Sequence, residues 1–281
     1  MSYECLLMDD ASTDDGVRLV HQQFPSVRII EHHENLGFGA MVNEGASLAS
    51  GEILFLINND LIVRPDFVSR LFAHFADDGS LFGVSAKTVD WDQAEPNHVN
   101  MTARFIAGQM RLAWSDDSQI SPTMFLQGGS CAVRRVLFLK LGGFPNLFAP
   151  GYWEDYDISY QALKAGYHLL YDPAAVGAHF GQGSMIRAHG LERITFAKER
   201  NRLLFHALNL TDSDRHSAFW MSLPAYIRNT GDVRLKLRWL SVWNLFLKRR
   251  IIQQLRELRM QHQVVTDAAI FEKFKDKGQL C

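Results

Sequence analysis

Three clusters of acidic and amide side chains follow short apolar runs, and each has the residue types for phosphate, metal or proton chemistry. Asn58-Asn59-Asp60 comes directly after the apolar run Ile53 to Ile57. That run is too short for an ordinary helix and reads as a strand buried on both faces. In open α/β sheets ligands collect at the carboxyl ends of strands, and an Asp at such a tip can hold a hard divalent cation under a diphosphate. Asp9 and Asp10 follow Cys5-Leu-Leu-Met8 in the same way. Glu154, Asp155 and Asp157 lie in the first turn of a helix that Ile158, Ala162 and Ala165 predict and Gly166 ends. Carboxylates there complement the helix dipole, and with Tyr152, Trp153 and Tyr156 beside them they also suit a general base next to a bound sugar. His179, ahead of Gly181-Gln-Gly-Ser184, is a candidate ligand for the same cation. For the acidic turns, capping and turn formation are the competing structural reasons.

These residues need a scaffold of alternating strands and helices. The pattern predicts a helix over 16–24, capped by Ser12 or Thr13, and a strand over 27–31. The loop Asn35-Leu-Gly-Phe-Gly39 opens a helix over 40–50, where Gly37 and Gly39 permit a sharp bend or a close ligand approach. The loop lacks both the dinucleotide fingerprint and the P-loop lysine. A helix over 66–75, strands over 82–86 and 125–133, and a helix from Arg134 to Leu141 follow. Residues 87–124 read as strands or as an inserted loop. His168 to Tyr171 is a strand, Asp172-Pro173 a turn, and Val176 to Phe180 the segment that presents His179. From Leu191 onward the chain is mostly helical.

Composition narrows the class. The chain has 281 residues, 47% of them hydrophobic, and a formal net charge of −2. That supports one large core and gives no global signal for nucleic acid. Cys5, Cys131 and Cys281 are too scattered for a metal site or a disulfide framework and suit a reducing cytoplasm. The first residues do not form a secretory signal, and no apolar run reaches bilayer-spanning length. Residues 228–259 stand apart. They hold nine basic residues against Asp232 and Glu257, interleaved with Leu, Val, Phe and Trp. Two readings fit: an interfacial amphipathic helix for an anionic membrane surface, or a helical hairpin with a solvated basic face.

Taken together and in order, these segments resemble family 2 glycosyltransferases. Leu7-Met8-Asp9-Asp10 with Ser12 and Asp14 is similar to that family's V-D-D/N-x-S-x-D segment, and Asn35 to Gly45 to its N-x-G-F helix. Leu56-Ile-Asn-Asn-Asp60 resembles its D-x-D-type metal motif. Gly128 to Arg135 with Gly142-Gly-Phe144 resembles its Gly-rich segment, Trp153-Glu-Asp-Tyr-Asp157 its E-D-x-D turn, and His179 with Ser184 its closing motif. The nearest likeness is to the rhamnosyltransferase-like branch that builds bacterial surface polysaccharides.

The resemblance implies a GT-A fold, an α/β architecture with a mixed, mostly parallel sheet between helices. It places the transferase domain at 1–205 and a helical extension at 206–281. It further implies inverting transfer from a UDP- or dTDP-linked sugar to a hydroxyl of a glycan or lipid-linked acceptor, at the inner face of the cell membrane. Asp9, Asp10, Asn35 and Gly37 would bind the nucleotide. Asp60, Asn58 and His179 would hold Mg2+ or Mn2+. Asp155 would be the base with Glu154 beside it, and Trp153 and Tyr152 would meet the acceptor. The family's opening V-S-V-V-I-P-x-Y-N strand and the helix after it have no counterpart here, so the expectation is either a start further upstream or a truncated, non-catalytic homologue that acts as a binding protein. Asn58 replaces the first metal-motif acid, Gln161 the usual Arg, and Pro145 the usual Asp.

Overall fold

The computed structural model describes residues 2–92, 96–115, 118–180, 190–228 and 235–280. Gly181 to Ser184, Asp232, Arg234 and Cys281 therefore lie outside the described residues.

The first third of the chain alternates strand and helix. Strands β1 (Leu6–Asp9) and β2 (Arg28–Glu31) pair in parallel around helix α1 (Gly16–Gln23). No Ser12 or Thr13 side chain caps α1. Instead the Asp14 carboxylate accepts from the Gly16 N–H at 2.9 Å, and Asp9 accepts from the Ser12 N–H at 3.2 Å. Helix α2 (Phe38–Leu48) leads to β3 (Ile53–Ile57) and, past the Asn58-Asn59-Asp60 turn, to β4 (Leu61–Val63) and helix α3 (Phe67–Ala73). Phe67 and Leu71 of α3 are fully buried with Leu81 and Val84 of the next strand.

Among the described residues, the stretch 87–124 that read as strands or an inserted loop is built mainly of strands, and the elements from 81 to 134 are β5 (Leu81–Asp90), β6 (Pro96–His98), β7 (Asn100–Ile106), β8 (Gln109–Ser115), β9 (Ser121–Pro122) and β10 (Ser130–Arg134). β7 and β8 form a hairpin whose turn is Ala107-Gly108, both at positive φ, as a tight two-residue turn requires. The strand expected over 125–133 starts only at Ser130, because the 126–128 amides turn aside to side chains: Leu126 N–H to Ser159, Gln127 N–H to Ser85 and Gly128 N–H to Asp155.

Helix α4 (Arg135–Lys140), helix α5 (Glu154–Lys164) and strand β11 (His168–His179) follow. Asp172-Pro173 is not a turn. β11 runs through it with a register shift between Asp172 and Val176, the bulge expected where proline supplies no N–H to the ladder. The central sheet has the order β3-β10-β5-β11-β4, with β6 on β5 and β9 on β11. It is mixed, as expected, but not mostly parallel: β5 and β11 are parallel, while both β10 pairs and the β11-β4, β11-β9 and β5-β6 pairs are antiparallel.

The described residues after 190 are mostly helical: α6 (Leu191–Asn209), α7 (Ser213–Arg228), α8 (Leu235–Leu247), α9 (Arg249–Met260) and α10 (Asp267–Phe274), closed by β12 (Gln279–Leu280) on β8. α6 is buried from Leu203 to Asn209 and packs its side chains into the main core. His206 on this helix bonds the Arg202 carbonyl through Nδ1 at 2.6 Å and accepts from the Met110 N–H at 2.7 Å. Burial pushes its pKa down to about 3, so it stays neutral.

Two buried ionic knots fasten these helices to α5. Arg259 of α9 grips Asp157 with two bonds of 2.8 and 2.9 Å, and Asn209 donates to the same carboxylate at 2.6 Å. The fully buried Asp267 accepts from Tyr160 Oη (2.9 Å), Lys164 Nζ (2.6 Å) and the N–H groups of Thr211 and Asp212 (2.7 and 2.8 Å). Removing one partner of such a pair strands a buried charge, at a cost of about 3–5 kcal/mol. Asp267→Ala is therefore expected to destabilise the fold by about that amount in urea titration. A change below about 1 kcal/mol would mean that the knot is solvated.

Candidate active site

The site is assembled on two glycines. Gly128 and Gly129 lie between the end of β3 and the start of α5. The Gly128 N–H donates to Asp155 Oδ2 at 3.1 Å, and the Asn58 N–H donates to the Gly129 carbonyl at 2.9 Å. A Cβ at Gly129 would lie 2.3 Å from Asn58 Nδ2, and one at Gly128 would lie 3.1 Å from the Asp155 Cβ. The absence of both side chains brings the Asn58-Asn59-Asp60 turn and the α5 carboxylates to adjacent backbone positions.

On the strand side, the Phe180 N–H donates to the Asp60 carbonyl at 2.8 Å, which brings the end of β11 against the turn. His179 Nε2 and Asp60 Oδ1 are 3.3 Å apart. Asp60 Oδ1 and His179 Nδ1 are both buried without a hydrogen-bond partner. Buried polar atoms without a hydrogen-bond partner can accept a water or an ion, and a carboxylate with an imidazole suits a divalent cation. Among the described residues no three His, Cys, Asp or Glu side chains gather to hold an ion unaided. The donor set fits a cation whose other ligands are substrate phosphate oxygens and water.

The opposite side holds a carboxyl pair. Asp155 Oδ1 accepts from the Tyr156 N–H at 2.9 Å, so both its oxygens are bound by backbone amides. Burial nonetheless pushes its pKa up to about 6. Glu154 is buried, its Oε2 has no partner, and burial followed by the charge of Asp155 holds its pKa well above the carboxylate range. Burial thus shifts both carboxyls of the pair upward, and the Asp155 charge adds to the shift of Glu154. Glu154 faces a crevice lined by Gly37, Gly39, Ala149 and Gly151. Asp157, in the same turn, points away to Arg259.

The residues expected to bind the nucleotide also come together. Asp10 accepts from the Leu36 and Gly37 N–H groups at 2.6 and 2.9 Å, and Asn35 Nδ2 donates to the Asp10 carbonyl at 3.2 Å. Asp10 therefore shapes the 35–37 loop, while Asp9 holds the turn after β1 through Ser12. Asn43 binds both polar groups of the Phe144 backbone, tying α2 to the Gly142-Gly143 loop.

Of the two aromatic residues expected at the acceptor side, Trp153 packs inward against Tyr156 and Phe205. Tyr152 is half-buried and lies under Lys198 Nζ, 4.4 Å from its ring centroid. Both stand at positive φ (75° and 76°), a conformation that costs a non-glycine residue about 1–3 kcal/mol unless its surroundings enforce it. The enforcing residue is Asn201, fully buried on α6. Its Nδ2 lies 2.6, 2.8 and 2.9 Å from the carbonyls of Phe148, Gly151 and Tyr152, so two protons are shared among three acceptors. Arg200 also donates to the Ala149 carbonyl. The sequence reading missed Asn201; its only signal is an amide inside the otherwise apolar and basic helical stretch Arg200 to Phe205. Asn201→Ala is expected to cost about 1–3 kcal/mol and to speed hydrogen exchange at 148–153. Asn201→Asp, which sets carboxylate oxygens against carbonyls, should cost more. Unchanged exchange in both variants would contradict this clamp.

Residues 1–141 match the sequence model described as Glycosyl transferase family 2. The chain is 25% identical, over 247 residues, to the N-acetylglucosaminyl-diphospho-decaprenol L-rhamnosyltransferase of Mycobacterium tuberculosis, covering 76% of each protein. Its backbone is similar to that of GalNAc-T7, crystallised with UDP, GalNAc and Mn2+ (TM-score 0.69, 15% identity, 97% of this chain); it spans 50% of that protein's chain. It is also similar to the mannosyltransferase PcManGT of Pyrobaculum calidifontis, in complex with GDP-Man and Mn2+ (TM-score 0.51, 14% identity, 98% of this chain and 79% of the other). At such identities the structural likeness establishes the fold, which is GT-A. With its family match over residues 1–141, this chain belongs to glycosyl transferase family 2.

Proposed function

We propose that this protein is an inverting glycosyltransferase that moves a sugar from a nucleoside-diphosphate donor to a hydroxyl of a glycan or lipid-linked acceptor, in bacterial surface polysaccharide synthesis. One observation carries the reading. An ionisable carboxyl pair and a turn with an orphaned Asp–His pair are fastened to the consecutive glycines 128 and 129. The name of the mycobacterial relative, which includes a lipid-diphosphate acceptor and a rhamnosyl group, supports this substrate class.

Asp155 takes the proton of the acceptor hydroxyl as that oxygen attacks the anomeric carbon. The bond from that carbon to the donor diphosphate breaks with inversion, and the diphosphate leaves with the bonding pair. Asp60, His179 and Asn58 would hold Mg2+ or Mn2+, which neutralises charge on the leaving diphosphate. Asp9, Asp10, Asn35 and Gly37 would frame the nucleotide, a UDP- or dTDP-linked donor, and Tyr152 the acceptor. The transferase unit would comprise residues 1–205, with 206–281 as its helical extension.

Asp155→Asn should lower turnover by about 10²–10⁴-fold while nucleotide affinity stays within about twofold; near-normal turnover would sink Asp155 as base. The pH profile gives a second check. A base must be deprotonated, and the pKa of Asp155 is raised to about 6. Activity should therefore be full above that value and fall about tenfold per pH unit below it. A profile flat down to pH 4 would contradict the assignment.

A further inference from the structure

Helix α8 has two apolar faces. Leu237, Ser241, Val242 and Leu245 are buried on its inner side, against α6 and α7. On its outer side Leu235, Trp239, Leu240, Trp243 and Leu247 recur at intervals of one to four residues and stay exposed, with Trp239 and Trp243 at 55% and 54%. The outer face of a packed surface helix is ordinarily polar. Contiguous exposed aromatic and aliphatic side chains mark a face with a partner.

Charge identifies the partner. Residues 233–256 contain no Asp or Glu. Some cations of the segment are spent inside: Arg238 donates to the Tyr226 carbonyl and Arg256 to those of Ala207 and Leu210, while Arg259 holds Asp157. Lys236, Arg249 and Arg250 remain exposed, on α8 itself and just beyond its end. At 13 residues α8 is about 20 Å long, too short to cross a bilayer, and among the described residues no helix is long and apolar enough to do so. Tryptophan and leucine with flanking cations and no carboxylate is the chemistry of a helix lying in the headgroup zone of an anionic bilayer.

We propose that the outer face of α8 seats this protein on an anionic lipid surface, with Trp239 and Trp243 inserted and Lys236, Arg249 and Arg250 at the headgroups. The placement suits a lipid-linked acceptor, and to that extent it rests on the function proposed above. An open groove of ≈ 550 Å³ lies between α8 and the start of α6, lined by Leu191, Arg193, Phe196, Lys236 and Leu240. From Phe196 the same helix reaches Lys198 over Tyr152, and then the Asn201 clamp, within about 7.5 Å of rise. An acceptor anchored in the bilayer is thereby delivered along α6 to the carboxyl pair.

The test is co-sedimentation of the full chain with phosphatidylcholine vesicles, with and without phosphatidylglycerol. Binding is expected only with phosphatidylglycerol and should weaken with salt. Trp239→Ala with Trp243→Ala should reduce it by more than about tenfold, as should Lys236→Glu with Arg249→Glu and Arg250→Glu. Both variants should keep the wild-type melting temperature and nucleotide affinity. Absent binding, equal binding to neutral vesicles, or binding unchanged by the substitutions would overturn the proposal. So would a concentration-dependent dimer that the Trp variant dissolves, which would assign the face to a second copy. Nucleotide binding without vesicle binding would defeat this inference alone, and vesicle binding without nucleotide binding the sugar-transfer reading alone.

Discussion

Two missing side chains govern the site. At Gly129 a methyl group would occupy the space of the Asn58 amide, and at Gly128 it would press on Asp155. With neither present, one short backbone segment binds the tip of β3 on one side and the first turn of α5 on the other. Around that segment Ser159 and Ser85 accept from the Leu126 and Gln127 N–H groups, Gln127 Oε1 accepts from Thr88 and Ser130, and Ser159 donates back to the Asp155 carbonyl. The geometry is overdetermined, as a preorganised site requires.

The helical C-terminal region supplies the next constraint. α6 contributes Asn201 to the 148–152 loop and Asn209 to Asp157, while α9 contributes Arg259 and α10 contributes Asp267. The helix that carries Glu154 and Asp155 is thus gripped at its first turn and along its buried side by residues from far along the chain. At the start of this helix burial raises the carboxyl pKa values of Glu154 and Asp155. The proposed seat on a membrane would belong to the same helical layer, so one structural unit would both brace the helix that carries the base and present the acceptor.

Much of this was legible before the structure. Asp60 at a strand tip, Glu154 and Asp155 at a helix start, and the glycine pair at 128–129 are local patterns, and local patterns survive folding. What was not legible depends on distant partners. Asn201 meets Gly151 across 50 residues and Arg259 meets Asp157 across 102. No periodicity announces either. The basic stretch over 228–259 could not be divided from composition, because whether an arginine turns in to a carbonyl, as Arg238 and Arg256 do, is decided by neighbours. Pro173 read as a turn because proline usually ends pairing, yet neighbouring strands on both sides carry β11 past it.

Sugar transfer as proposed requires the Asp60–His179 side of the 128–129 segment to receive a nucleoside diphosphate together with a divalent cation. The most direct measurement is calorimetric titration of the full chain with UDP and with dTDP, with and without Mn2+ or Mg2+. Saturable binding of one nucleotide is expected, dependent on the metal and lost in Asp60→Ala. Metal-independent binding, or no binding of either nucleotide in the presence of the metal, would contradict it.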